Sequence, residues 1–136
     1  MDYNALEIAL HTRLATVVTT DLIKYPNIIY DDSQETEIWV RPSLIFGTAD
    51  SATLGNDGLN FVRGIYQVSI FTAMNTGTKP SNDYVKQVLD TFPKGERLTF
   101  TGGDIIIGVG YQSTNILEDN FLHTPVTIPF TARMEV

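Results

Sequence analysis

The chain has 136 residues, 43% of them hydrophobic and 18% charged, which is enough for one domain with its own core and argues against a disordered chain. Nine basic residues scattered among sixteen acidic ones leave a net charge of −7, which argues against specific nucleic-acid binding through phosphates. With no cysteine, disulfides, thiolate metal sites and a cysteine nucleophile are excluded, and the composition fits a reducing cytoplasm.

Met1-Asp2-Tyr3-Asn4 carries an acid where a signal peptide needs basic residues, and no stretch reaches the ~20 apolar residues of a membrane span, so a soluble chain without a membrane partner is expected. The first element reads as an amphipathic helix from Ala5 to Val18, because Leu6, Leu10, Leu14 and Val17 recur at helical spacing. Asn4 is placed as its N-cap, with Glu7 completing a capping box. A short strand is expected at Asn27–Tyr30, followed by a solvated acidic loop from Asp31 to Glu37.

From Glu37 to Phe46 the chain alternates: Ile38, Val40, Leu44 and Phe46 on one face, Glu37, Trp39, Arg41 and Ser43 on the other. Pro42 places this strand at an edge or a bulge. Gly55-Asn56-Asp57-Gly58 is a turn signal leading into a long strand from Asn60 to Met74, read as an arm able to project beyond the domain. A second helix opens near Pro80, lines one face with Tyr84, Val85, Val88, Leu89 and Phe92, and stops at Pro93 and Gly95. Strands at Arg97–Thr101 and Asp104–Gly110 are joined by the two-residue turn Gly102-Gly103.

The last strand sets Leu122, Val126, Ile128, Phe130, Ala132 and Met134 on one face. His123, Pro125, Thr127, Pro129, Thr131 and Arg133 fall on the other. Pro125 and Pro129 share a parity, so their missing N–H donors fall along one lateral side; this implies an edge strand, or one fully paired on a single side. Helix, strands, helix, strands without βαβ alternation gives an α+β fold: a mainly antiparallel β-sheet with two α-helices packed on one face.

The search for chemistry returns no catalytic residue, no metal site and no cofactor site. His11 has Glu7 four residues before it, a spacing read as a surface contact, and His123 lies on the outward face of the last strand. No G-x-S-x-G occurs, and the glycines at Gly102-Gly103 and Gly108-Val109-Gly110 lack the Lys-Ser/Thr and helix of a phosphate loop. Trp39, the one tryptophan, sits on the polar-parity side of its strand, where it is a candidate protein–protein contact or packs under a loop.

Three clusters in order and at fixed spacing carry a resemblance: Gly64-Ile65-Tyr66-Gln67-Val68; Phe92-Pro93-Lys94-Gly95 with Arg97-Leu98; and Pro125-Val126-Thr127-Ile128-Pro129-Phe130. Together with Ala52-Thr53-Leu54-Gly55 through Leu59-Asn60, they resemble the tail-terminator-like proteins of long-tailed (siphovirus-type) bacteriophages. The resemblance implies a virion protein of the tail and neck, assembled in the host cytoplasm. It would act as a homohexameric ring on the tail tube, stopping polymerisation and meeting the head. Its implied partners are other copies of itself, the tail-tube protein and the head-completion protein, with DNA passing through the ring. The assembly-interface residues expected are Trp39, the hairpin tip Gly55, Asn56, Asp57 and Gly58, and the twin prolines Pro125 and Pro129. Alternatives are a head–tail connector or other neck protein, and a small soluble ligand-binding or enzymatic α+β domain.

Overall fold

A computed structural model describes residues 1–18, 22–25, 38–51, 58–118 and 121–135. The expected strand at Asn27–Tyr30 and the acidic loop lie outside them. The first helix, α1, spans Tyr3–Leu14 and buries Leu6, Leu10 and Leu14. Its N-cap is Asp2, whose carboxylate accepts from the Ala5 N–H at 3.0 Å. The helix therefore starts one residue before the expected cap at Asn4, and Glu7 is turned toward His11 instead of closing a capping box. It also ends short of Val18: the Thr16 hydroxyl donates back to the Arg13 carbonyl at 2.7 Å, and residues 15–18 form a turn.

Two long strands follow, β1 (Trp39–Ser51) and β2 (Leu59–Ala73), paired antiparallel from Trp39↔Phe71 to Ser51↔Asn60 with one shift between Phe46 and Ala49. β1 is a terminal strand of the sheet, as Pro42 requires. The Val40 carbonyl accepts from the Lys24 N–H at 2.8 Å on the outer side, so Pro42, two residues on, also turns its missing donor outward. Every residue of β2 is paired with the last strand, so its described length belongs to the body of the sheet and is not a projecting arm. Glycine is required at Gly64: a Cβ there would lie 2.7 Å from the Ile45 carbonyl and 3.0 Å from the Phe130 ring.

Helix α2 (Lys79–Thr91) has Pro80 in its first turn and buries Ser81, Val85, Val88 and Thr91, with Phe92 buried just past its end. β3 (Arg97–Phe100) and β4 (Gly103–Ile107) form the expected hairpin, but its turn is Thr101-Gly102, one residue before the expected Gly102-Gly103, and Gly103 is the first residue of β4. Its turn holds Gly102 at φ 99°, a conformation that favours glycine. Two short strands then appear that sequence reasoning left unassigned, β5 (Tyr111–Gln112) and β6 (Ile116–Glu118). The last strand, β7, runs Phe121–Glu135.

The sheet order is β1-β2-β7-β4-β3, with β5 and β6 also pairing to β7, and all strand pairs are antiparallel. This overturns the edge reading of β7, which is a central strand. The second reading of its prolines holds. On one side β7 pairs with β2 without interruption, from Phe121↔Ala73 to Glu135↔Leu59. On the other it meets β4, β5 and β6 in three separate pieces. Pro129 and Pro125 fall opposite the two breaks. There their carbonyls accept from the Gly108 N–H at 2.8 Å and the Ser113 N–H at 2.9 Å. A proline tolerates a central strand where the neighbouring chain leaves the ladder, because its missing donor then has no partner to disappoint.

Alternation divides the sheet. Val62, Tyr66, Val68 and Ile70 of β2, Ile105 and Ile107 of β4, and Val126, Ile128, Phe130, Ala132 and Met134 of β7 share one face. Against it pack Leu6, Leu10 and Leu14 of α1 and Val85 and Val88 of α2, so both helices cover the same face.

Candidate assembly surfaces

Two groups of polar side chains tie the elements of this body together. His11, half-buried, is hydrogen-bonded through Nδ1 to the Tyr66 hydroxyl at 2.7 Å and donates from Nε2 to Glu7 at 3.1 Å. The Tyr25 ring meets the imidazole edge-on at 5.0 Å. Burial pushes the Tyr66 phenol well above its ordinary range, with Tyr25 and Glu7 adding to the shift. His11 is thus a strut between α1 and β2 rather than the surface contact its spacing implied. Among the described residues no group of three or more His, Asp or Glu is placed to hold a metal, and no described helix is long and apolar enough to cross a membrane.

At the other end of the sheet, Asp104 of β4 is buried between two guanidinium groups. Arg133 of β7 reaches it through Nε at 2.9 Å and a second nitrogen at 2.5 Å, and Arg97 of β3 at 2.6 Å. The Arg133 hydrogen bonds hold the Asp104 carboxyl below the usual carboxylate range, against the opposing effect of burial. Sequence reasoning missed this cluster because it set the turn one residue late, at Gly102-Gly103, which places Thr101 opposite Asp104. A two-residue turn at Thr101-Gly102 fixes Thr99 opposite Asp104 and Arg97 diagonal to it, on one face.

The structure scatters the expected interface residues. Trp39 is 3% exposed, stacked on Phe71 at 4.1 Å and edge-on to Phe121 at 5.7 Å, in a small aromatic cluster on the face away from the helices. Its ring is spent inside the subunit. His123 stacks on the same Phe71 at 4.5 Å, and Arg41 lies over that ring at 5.1 Å. Gly58 is exposed; Gly55, Asn56 and Asp57 lie outside the described residues. Pro125 is buried and Pro129 half-buried.

Exposed apolar side chains mark other places. Ile45 and Phe46 stand on β1, Phe46 meeting the Tyr3 ring at 4.9 Å, and Ile8 is 55% exposed on α1. Val109 precedes β5, Tyr111 lies in it, and Ile116 and Leu117 lie in β6. Between α1 and β3 runs a groove of about 750 Å³, walled by Ala5, Ile8, Ala9 and Thr12 on the helix and by Leu98 and Phe100 on the strand. Nine acidic and nine basic residues fall among the described positions, so the net charge of −7 belongs to positions outside them.

A family model described as phage tail terminator protein matches residues 5–130. Seven solved chains match; one of them superposes at a TM-score of 0.76, with 15% sequence identity over 97% of this chain and 96% of that chain, a likeness of fold alone. No curated protein matches.

Proposed function

The chain belongs to the phage tail terminator family, a structural component of the virion tail, and on that premise we propose that it caps the tail tube. In this reading it forms a homohexameric ring on the last ring of tail-tube subunits, stops their polymerisation, and presents its upper surface to the head-completion protein. Assembly takes place in the host cytoplasm, and the finished ring lies at the neck. The observation that carries the reading is the family match over residues 5–130, which takes in both helices and the sheet as far as Phe130.

Termination needs no bond made or broken. A terminator fits the growing face below and offers a different face above, and side contacts between unlike surfaces close a ring instead of extending a tube. The hydrogen-bonding side chains described above serve this role by stiffening the subunit: Tyr66–His11–Glu7 braces α1 on the sheet, and Asp104 braces β3 and β4 on β7. A ring of subunits carrying −7 each repels passing DNA and lets it slide.

The test is a phage carrying a nonsense mutation in this gene, grown without suppression and imaged by electron microscopy. Tails of uncontrolled length that lack heads are expected. Tails of normal length joined to heads would overturn the proposal.

A further inference from the structure

Ring closure by unlike surfaces demands that each copy carry two different lateral ends, and the sheet has them. At one end β3 is terminal, pairing with β4 and with no other described strand. Phe100 and Gly103 close a two-residue turn and so exchange hydrogen bonds, as do Leu98 and Ile105. That leaves the backbone N–H and C=O of Arg97 and Thr99 facing outward. This open edge is not flush with solvent. It borders the groove of about 750 Å³ whose other wall is α1, where Ala5, Ala9 and Thr12 hold back and Ile8 is 55% exposed. At one end of the groove Arg13 bridges the helix to the Thr91 carbonyl at 3.0 Å and to Glu96 at 3.4 Å.

At the opposite end of the sheet β1 is terminal. Among the described residues, the chain before it meets β1 at its start, through Ile23↔Val40 and the Lys24–Val40 hydrogen bond. From Ile45 to Ser51 every residue of β1 is exposed, including Ile45 at 50% and Phe46 at 43%. A long edge with apolar side chains is what natural sheets blunt unless it has a partner.

The two ends also match in charge. At the β3 end two guanidinium groups share one carboxylate, Arg97 remaining 54% exposed in its pair with Asp104. At the β1 end Asp50 is 59% exposed and meets Arg63 only at 3.5 Å, a loose surface pair. We propose that the slot between α1 and β3 is an interface for a second copy of this chain, whose β1 segment from Ile45 to Ser51 adds as a strand along β3. Asp50 of the incoming strand then supplies the second carboxylate at the Arg97–Asp104–Arg133 cluster. Phe46 of that strand, on the helix side of the sheet, meets Ile8, Leu98 and Phe100, while Ile45 lies with Asp50 on the other face. Repeated head to tail, this contact runs one sheet into the next around a ring. The inference rests on the ring reading given above.

The absence of native cysteine makes cross-linking clean. Full-length variants carrying Asp50→Cys with Thr99→Cys, or Thr48→Cys with Thr99→Cys, are assembled on tail tubes and oxidised. Adjacent strands hold cysteines within disulfide reach, so a ladder of covalent oligomers from at least one pair is expected, and none from Lys86→Cys with Thr99→Cys. In parallel, Thr99→Pro removes an outward donor without touching the β3–β4 ladder. It is expected to melt like the parent and to lose ring formation by roughly tenfold. Rings that form equally in Thr99→Pro, with no ladder from either cysteine pair, overturn the edge contact and leave the ring reading standing. Wild-type tails on which this protein forms no ring overturn both.

Discussion

The two faces of the sheet are built from the same strands and do different work. On the helix-covered face, Ile128, Tyr66 and Val68 are fully buried, and the two helices pack their apolar stripes against them. The opposite face carries Arg41, Arg63, Arg97 and Arg133, four of the five arginines, with threonines, prolines and the small Trp39–Phe71–Phe121 cluster. On β2 and β7 neighbouring residues thus alternate between a core and a charged, patterned surface. Stability is concentrated on one side, which leaves the other free to be specified by contacts.

The largest expected effect breaks that asymmetry directly. Ile128→Ala opens a cavity beneath the helices and is expected to cost about 3–4 kcal/mol, whereas Ile65→Ala, half-buried on the opposite face one position away across the strand pair, is expected to cost under about 1.5 kcal/mol. Urea denaturation of both variants checks this. Equal costs would mean that the second face is also packed as a core in solution.

Asp104→Asn is next, at about 1–2 kcal/mol, since it weakens a buried carboxylate's hydrogen bonds to two partly exposed arginines. Its pH dependence has a definite sign. The folded carboxyl is held below its unfolded value, so it stabilises the protein above about pH 4, and that contribution is lost as pH falls through the folded value. The gap between wild type and Asp104→Asn should therefore be full at pH 7 and close on acidification toward pH 2. A gap that persists unchanged at the acid limit would assign it to packing. Tyr66→Phe follows on the helix-covered face, at about 1 kcal/mol, for the lost 2.7 Å hydrogen bond to His11, read by the same denaturation.

Much of this division is written in the sequence. The alternation of β7 assigns each of its side chains to the correct face because a period of two leaves no other choice once one face is buried. The helices are legible from Leu6-Leu10-Leu14 and from Pro80 with Val85 and Val88. Strands β5 and β6 are not: two or three residues carry no periodicity, and their positions are set by β7 and not by their own residues. The Asp2 cap escaped because Asn4 is an equally good cap by type, and only the backbone decides between them. The candidate interface was least legible. Trp39 has the composition of an interface residue but is consumed by Phe71 and Phe121, contacts between strands far apart in sequence. The exposed run from Ile45 to Ser51 is marked by position at the end of the sheet, which no local pattern reveals.

The smallest expected effect concerns β7, where the lateral sides rather than the faces differ. Its prolines point toward the broken side, where the Gly108 and Ser113 amides already reach the proline carbonyls. Replacing Pro129 with Thr supplies an N–H opposite Gly108, a position at which the neighbouring chain has just left β4, while the uninterrupted ladder to β2 is untouched. The new donor gains at most one hydrogen bond, and the variant loses the restriction that proline places on the unfolded chain, so the two contributions oppose each other. A net change within about 1 kcal/mol is expected for Pro129→Thr, and likewise for Pro125→Thr, with tail length unchanged. Had β7 been an edge, the same substitutions would have exposed a continuous ladder and promoted stacking. A shift in tail length from either variant would show that the broken side of β7, and not the β1 and β3 ends, is where copies meet.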